Sequence, residues 1–257
     1  MKVERGADKE LKAIVVSGYG INADAELAAA FSMAGAKPER VHAADLLANP
    51  AMLSGADFLG FPGGFSFGDH LGSGLVLANL FRTRMGAELR SFVADGGLVI
   101  GICNGFQALV KTGLLPDLDG TGEPEVSLVH NESGLFISDW TSVRFEAGCP
   151  CVWTQGLAPR MLPIRHGEGR FTTDSPAILQ RLEAEHLVAV RYDGHNPNGS
   201  VNDIAGICDR SGRVLGLMPH PEAFIHPEAH PWRRRGYAGG LGLELFCKAV
   251  AWKRSQG

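Results

Sequence analysis

Apolar and polar positions divide the chain into two unlike halves. In the first half, short apolar runs alternate with stretches of helical spacing. Leu11–Val16 reads as a buried strand ending in the turn Ser17-Gly18-Tyr19-Gly20. Asp24–Ala34 follows as an alanine-rich helix, with Asn22 or Asp24 to cap it and Gly35 to stop it. Arg40–His42 predicts a short second strand, Asp57–Phe61 a third and Leu98–Ile102 a fourth. Leu75–Phe81 and Met85–Ala94 have helical spacing, and Gly105–Thr112 is a further helix that stops at Gly113. Strands alternating with helices predict a parallel, doubly wound sheet through roughly the first 115 residues.

The second half predicts many short strands and few helices. The strand candidates are Val126–Val129, Thr141–Phe145, Cys151–Trp153, Met161–Arg165, Leu187–Arg191, Ile204–Cys208 and Val214–Met218. Helices are expected only at Pro176–Glu183 and Gly242–Trp252. The fold class expected is therefore α/β, a central mostly parallel sheet flanked by helices with extra strands in the second half. Residues 1–10 carry six charges and read as a solvated tail, leaving 11–257 as a single domain.

Composition narrows the function classes. With 45% hydrophobic residues in 257, the chain can bury a sizeable core. Its longest uncharged stretch, 96–110, is too short and too polar for a bilayer, so no membrane association is expected. A net charge of -4 leaves no surplus of cations for phosphates, so no nucleic-acid partner is expected. The N-terminus lacks the apolar core of a signal peptide, and five cysteines are few and odd in number. A reducing, cytoplasmic location follows as the expectation. The 34 glycines are about twice the usual share, which calls for many tight turns and close backbone approaches.

Two strand ends carry unusual glycines. The run PGGFSFGDHLGSG (62–74) holds five in thirteen residues, enough to present bare N–H groups to an oxyanion or phosphate, or simply to form a flexible loop. Gly101-Ile102-Cys103-Asn104-Gly105 has the G-x-nucleophile-x-G spacing of a strand-to-helix elbow. Flanking glycines let such a turn push its central side chain outward, and a helix N-terminus favours a thiolate there. A nucleophilic cysteine needs a base and an orienting group. Two H-P-E runs compete for these roles, His220-Pro221-Glu222 and His226-Pro227-Glu228. The first directly follows an apolar strand that fixes its position, so His220 is taken as base and Glu222 as its orienter.

Other motifs are weaker. The spacing of His166-Gly167-Glu168-Gly169 fits a turn with a surface carboxylate. Cys149-Pro150-Cys151 has no second pair nearby in sequence, with Cys208 and Cys247 isolated, so no metal site is expected. Trp232-Arg233-Arg234-Arg235 is a local basic run, a solvated face or a contact for an anionic partner.

Together the motifs PGGFSFGD (62–69), GICNGFQALVKTGLLP (101–116), HGEGRF (166–171), NPNGSVNDIAGICD (196–209) and GRVLGLMPHPEA (212–223) carry a family resemblance. From about Ala13 to the last helix, the chain resembles the glutamine amidotransferase subunits of phosphoribosylformylglycinamidine synthase. These are class I, or triad, glutaminases of purine biosynthesis. The resemblance implies a flavodoxin-like class I fold and a triad of Cys103, His220 and Glu222. It implies an oxyanion hole of backbone N–H groups in the Gly63-Gly64-Phe65 loop, on Gly64 or Phe65, and on Asn104. It places Phe106 and Gln107 along the glutamine pocket. Glutamine is the implied substrate. The implied partners are a synthetase subunit that uses ATP and magnesium, and a small accessory subunit; this chain itself needs no cofactor. The sequence departs from the family where Gly72 replaces an arginine, in the loop Gly18–Asn22, and in a longer segment over 224–235. Two other readings stay open on the residues alone: a class I glutaminase serving another acceptor, and a cysteine hydrolase of similar fold.

Overall fold

The computed structural model describes residues 10–232 and 239–256. The tail therefore lies almost wholly outside the described residues, as do Arg233–Arg235 of the basic run.

The first half builds strands β1 (Lys12–Ser17), β2 (Lys37–His42), β3 (Phe58–Phe61) and β4 (Leu98–Ile102). Between them run helices α1 (Asp24–Met33), α2 (Ala43–Ala48) and α3 (Leu75–Ala94), and α4 (Asn104–Lys111) follows β4. The second half adds β5 (Ser127–Val129), β6 (Ile137–Phe145), β7 (Arg160–His166), β8 (Arg170–Thr172), α5 (Pro176–Ala184), β9 (Val188–Tyr192), β10 (Ile204–Cys208), β11 (Val214–Leu217) and α6 (Leu243–Ser255).

Nine strands form one sheet in the order β2-β1-β3-β4-β11-β10-β9-β6-β7, while β5 and β8 pair separately. The first five are mutually parallel, and from β10 onward each pairing is antiparallel. Right-handed crossovers place α1 on one face and α2, α3 and α4 on the other. Contacts agree: α1 meets α6, α2 meets α3, and α3 meets α4. Strands β1, β3, β4 and β11 are buried nearly throughout, as strands covered on both faces must be. Both edge strands contain a proline, Pro38 in β2 and Pro163 in β7.

Alternation of direction has a positional consequence. β4, β11, β9 and β7 all point the same way, so Ile102, Leu217, Tyr192 and His166 end at one edge of the sheet. β6 and β10 end at the opposite edge.

Several expected elements are corrected. Leu75–Ala94 is one helix, because the polar stretch Arg82–Arg84 is simply its solvent face. Cys151–Trp153 is turn, not strand; its apolar character serves Trp153, which packs edge-on against Phe31, Phe58 and Phe246. Neither Asn22 nor Asp24 caps α1, which starts after Ala23 without a side-chain cap. α2 and β8 are additional, and His42 caps α2 by accepting from the Ala44 N–H at 3.1 Å.

Candidate active site

Cys103 sits between β4 and α4 with φ 52°, a left-handed conformation rare outside glycine. Its neighbours explain how the turn closes. A Cβ on Gly105 would overlap the Phe61 carbonyl, and one on Gly101 would lie 2.7 Å from the Gly105 carbonyl oxygen. Cys103 N–H donates to the Leu217 carbonyl at 2.8 Å, which anchors the elbow to β11.

β11 leads directly to His220, whose N–H donates to the Pro163 carbonyl of β7 at 2.8 Å. His220 Nδ1 lies 2.6 Å from Glu222 Oε1, and both side chains are buried. Gly63 closes over them: a Cβ there would stand 2.7 Å from His220 Cε1 and 3.6 Å from Cys103 Cβ. The structure thus brings Cys103, His220 and Glu222 under one glycine loop. Burial alone would disfavour a charged His220. The Glu222 carboxylate and the Cys103 sulfur outweigh it and raise its pKa to about 10. Among the described residues, His220 Nε2 and Glu222 Oε2 have no hydrogen-bond partner. The second H-P-E run is exposed at His226 and Glu228 and stands apart from this group.

The glycine loop is held from two sides. On one side, Phe65 N–H donates to the Gly20 carbonyl at 3.0 Å, and the Gly63 carbonyl accepts from Ala23 N–H at 3.1 Å. The Phe65 N–H is therefore occupied. Gly64, at φ 154°, keeps an N–H without such a bond among the described residues. On the other side, Asn104 Oδ1 accepts from Ser66 N–H at 3.2 Å, and its Nδ2 donates to Asp69 at 3.2 Å and to Gln107 at 3.0 Å. The Asn104 N–H opens α4, where backbone donors lack helical partners. Burial raises the Asp69 pKa, against hydrogen bonds from Ser73, Gly74 and Asn104.

Gln107 Nε2 donates to the Glu168 carbonyl at 2.5 Å, tying α4 to the HGEG segment. Phe106 is a core residue: its ring is fully buried and fills the space that a side chain on Gly216 would take. The Phe65 ring is about half exposed at the rim, beside Phe136.

Several residues here were not signalled by their types. The Arg165 carbonyl accepts from Cys103 Sγ at 3.5 Å. Its guanidinium donates to Glu26 at 3.0 Å and lies 3.9 Å from Glu222 and 3.2 Å from His220 Nδ1. His166, in a segment that spacing assigns to a surface turn, is buried and bonded through Nδ1 to Asn131 at 3.0 Å. Burial, with His220 nearby, lowers its pKa to about 4. Asn198 donates to the Gly169 carbonyl at 2.8 Å and to Tyr192 Oη at 3.1 Å, so the NPNGS run braces HGEG from behind. The available signal was the presence of both runs among the shared motifs. Among the described residues, no three His, Cys, Asp or Glu side chains are grouped to hold a metal ion.

Such a site offers a thiol, an imidazole paired with a carboxylate and backbone donors on the adjoining loop and helix start, the equipment for acyl transfer. Residues 10–253 match the family described as the CobB/CobQ-like glutamine amidotransferase domain. The subunit PurQ of phosphoribosylformylglycinamidine synthase from Dehalococcoides mccartyi is 42% identical over 254 residues, covering 95% of this chain and 98% of its own. The same subunit from Methanococcus maripaludis is 40% identical over 232 residues, covering 86% and 85%. A chain of the PurLQS structure from Thermotoga maritima superposes with a TM-score of 0.73 at 30% identity, over 95% of this chain and 99% of that one. A glutamine amidotransferase from Thermotoga maritima shares the fold, with a TM-score of 0.54 at 12% identity over 96% and 99%. By sequence over nearly its whole length and by fold, the chain belongs to the PurQ family of phosphoribosylformylglycinamidine synthase subunits, which are glutamine amidotransferases.

Proposed function

We propose that this chain hydrolyses glutamine at Cys103 and passes the ammonia to a synthetase subunit of phosphoribosylformylglycinamidine synthase. The observation that carries this reading is Cys103 on a left-handed elbow beside the His220–Glu222 pair, beneath the Gly63 loop.

His220 takes the Cys103 proton, and the thiolate attacks the side-chain amide carbon of glutamine. Charge developing on the amide oxygen is held by the N–H groups of Gly64 and Asn104. Loss of one such donor typically costs about 10²–10³ in rate. Imidazolium His220 then protonates the departing nitrogen, ammonia leaves, and a γ-glutamyl thioester remains on Cys103. Water, deprotonated by His220, releases glutamate. Glu222 orients the imidazole and stabilises its charged form. Asn104 and Gln107 hold the loops in place through their side chains.

Ammonia protonated in bulk water is no longer a nucleophile, so the product serves only if it is delivered directly. The Thermotoga maritima relative was solved as PurLQS. In this reading the synthetase partner binds ATP and magnesium, a small accessory subunit completes the complex, and the assembly works in the cytoplasm. No helix among the described residues is long and apolar enough to cross a membrane.

The test is Cys103→Ala in the reconstituted synthase. Glutamine-dependent synthesis should be abolished while synthesis from added ammonium salt continues. Retained use of glutamine would overturn the assignment. His220→Ala should match that loss and His226→Ala should not.

A further inference from the structure

Five cysteines are free thiols. Cys103 belongs to the site above, and Cys247 is exposed on α6. The other three, Cys149, Cys151 and Cys208, are buried and converge at the opposite edge of the sheet, although the sequence shows Cys208 as isolated. Cys149 follows β6 and Cys208 ends β10, the strands that run against β4. Their sulfurs lie 3.3 Å apart, across 59 residues of chain.

Both main chains are fixed. Cys208 N–H donates to the Leu187 carbonyl at 2.9 Å, and Cys208 pairs with Leu215 across the β10–β11 ladder. Cys149 N–H donates to the Glu146 carbonyl at 3.1 Å, and Val152 N–H donates to the Gly212 carbonyl at 3.0 Å. A Cβ on Gly212 would overlap the Pro150 carbonyl, so the 149–152 turn lies directly on the β10–β11 connection. The backbones that carry the two sulfurs cannot move apart without disturbing the sheet.

We propose that Cys149 and Cys208 are an oxidisable thiol pair, which a small peroxide converts to an intramolecular disulfide. The two sulfurs are unlike. A hydrogen bond from Cys208 holds the Cys149 thiol below its ordinary pKa against the effect of burial, while Cys149, Cys151 and burial all push Cys208 upward. Cys149 sits in the turn and is 4% exposed, whereas Cys208 lies in the sheet at 0%, so a peroxide meets Cys149 first and Cys149 is the attacking sulfur. Its thiolate attacks one oxygen of hydrogen peroxide, the O–O bond breaks, and hydroxide leaves with the electron pair, becoming water on protonation. Cys208 then attacks the sulfenic sulfur of Cys149, its own proton is lost, and a second water departs. Two thiols have lost two electrons and two protons, and one peroxide has become two waters. The bond would staple the turn after β6 to the end of β10 and enclose both the HGEG and NPNGS segments. In a reducing compartment the linked form lasts only as long as the oxidant does.

The test treats the full-length chain with hydrogen peroxide, alkylates the remaining thiols under denaturing conditions, and maps peptides without reduction. The expected result is a cross-linked peptide joining Cys149 to Cys208, two hydrogens lighter than its parts. Cys151 and Cys247 should be recovered alkylated, and dithiothreitol should reverse the link. In Cys208→Ala, where Cys149 has lost both its hydrogen bond and its resolving partner, the same treatment should give no cross-linked peptide. Because each cysteine is read separately, oxidation of Cys103 does not confuse the result. Recovery of Cys149 and Cys208 as alkylated thiols after Cys103 is fully oxidised would overturn the proposal. So would a link from Cys208 to Cys151, or sulfinic Cys149 in the unaltered chain.

Discussion

His166 shows what burial does to a single titratable group. Its Nδ1 faces Asn131, which also accepts the Gly169 N–H at 3.0 Å, so the imidazole is held neutral and donates at that nitrogen. Unfolding returns its pKa from about 4 to the ordinary 6.5. The unfolded chain therefore binds the extra proton first, and stability falls as pH drops from 6.5 toward 4. The loss amounts to roughly 3 kcal/mol. Urea titrations of the parent and of His166→Gln across this window should show the parent losing that much more. Equal losses would mean that His166 is not buried and neutral. A three-residue spacing rule sees only a histidine between strand and glycine; the Asn131 partner lies 35 residues away in sequence.

At the scale of elements, glycines divide by what surrounds them. Gly105 has the Phe61 carbonyl where its Cβ would go, so Gly105→Ala must push α4 off β3. It should destabilise the chain by several kcal/mol, about the cost of overpacking a rigid contact or more, and abolish glutaminase turnover. Gly86, in the middle of α3, would put its Cβ no closer than 3.6 Å to the end of Arg90. Gly86→Ala should raise stability by about 1 kcal/mol, the helix propensity difference, with activity unchanged. A thermal melt of each variant, alongside a glutaminase assay, separates the two cases. Within the parallel half, β1, β3 and β4 were legible in the chain because they are buried on both faces and lead into glycine-bearing turns, whereas β2, largely exposed, was read only at its end. The elbow was legible for the same reason, since Gly101 and Gly105 flank Cys103 in sequence as well as in space. The apolar turn at Trp153 was not, because a three-residue apolar run has no period to read.

For the whole molecule, the decisive event is the return of the last strand. β7 stands at the far end of the pairing order, yet its carbonyls at Pro163 and Arg165 meet His220 and Cys103. The antiparallel half must therefore curl back over the parallel half. No local pattern specifies this curl, which is why Arg165 escaped notice. Arg165 joins β7 to Glu26 of α1 and brings a cation to the catalytic group. Removing it with Arg165→Met makes proton gain by that group easier. The acid limb of kcat/KM should then move up by about one pH unit. Glu26→Gln should disturb turnover less, since it frees the guanidinium without deleting its charge. A pH profile unchanged in Arg165→Met would show that the cation only bridges α1 and β7.

The two prolines at the rims of the sheet bear on how the molecule meets its neighbours. Pro38 in β2 and Pro163 in β7 each remove one N–H from an outermost strand. A strand from another copy, laid along β2, would find the ladder interrupted at its second residue, and along β7 it would also meet His220, which already donates to the Pro163 carbonyl. Natural sheets use such gaps to resist sticking rim to rim. Growth of the sheet into filaments is disfavoured at both ends, and lasting association is left to side chains on the faces and loops.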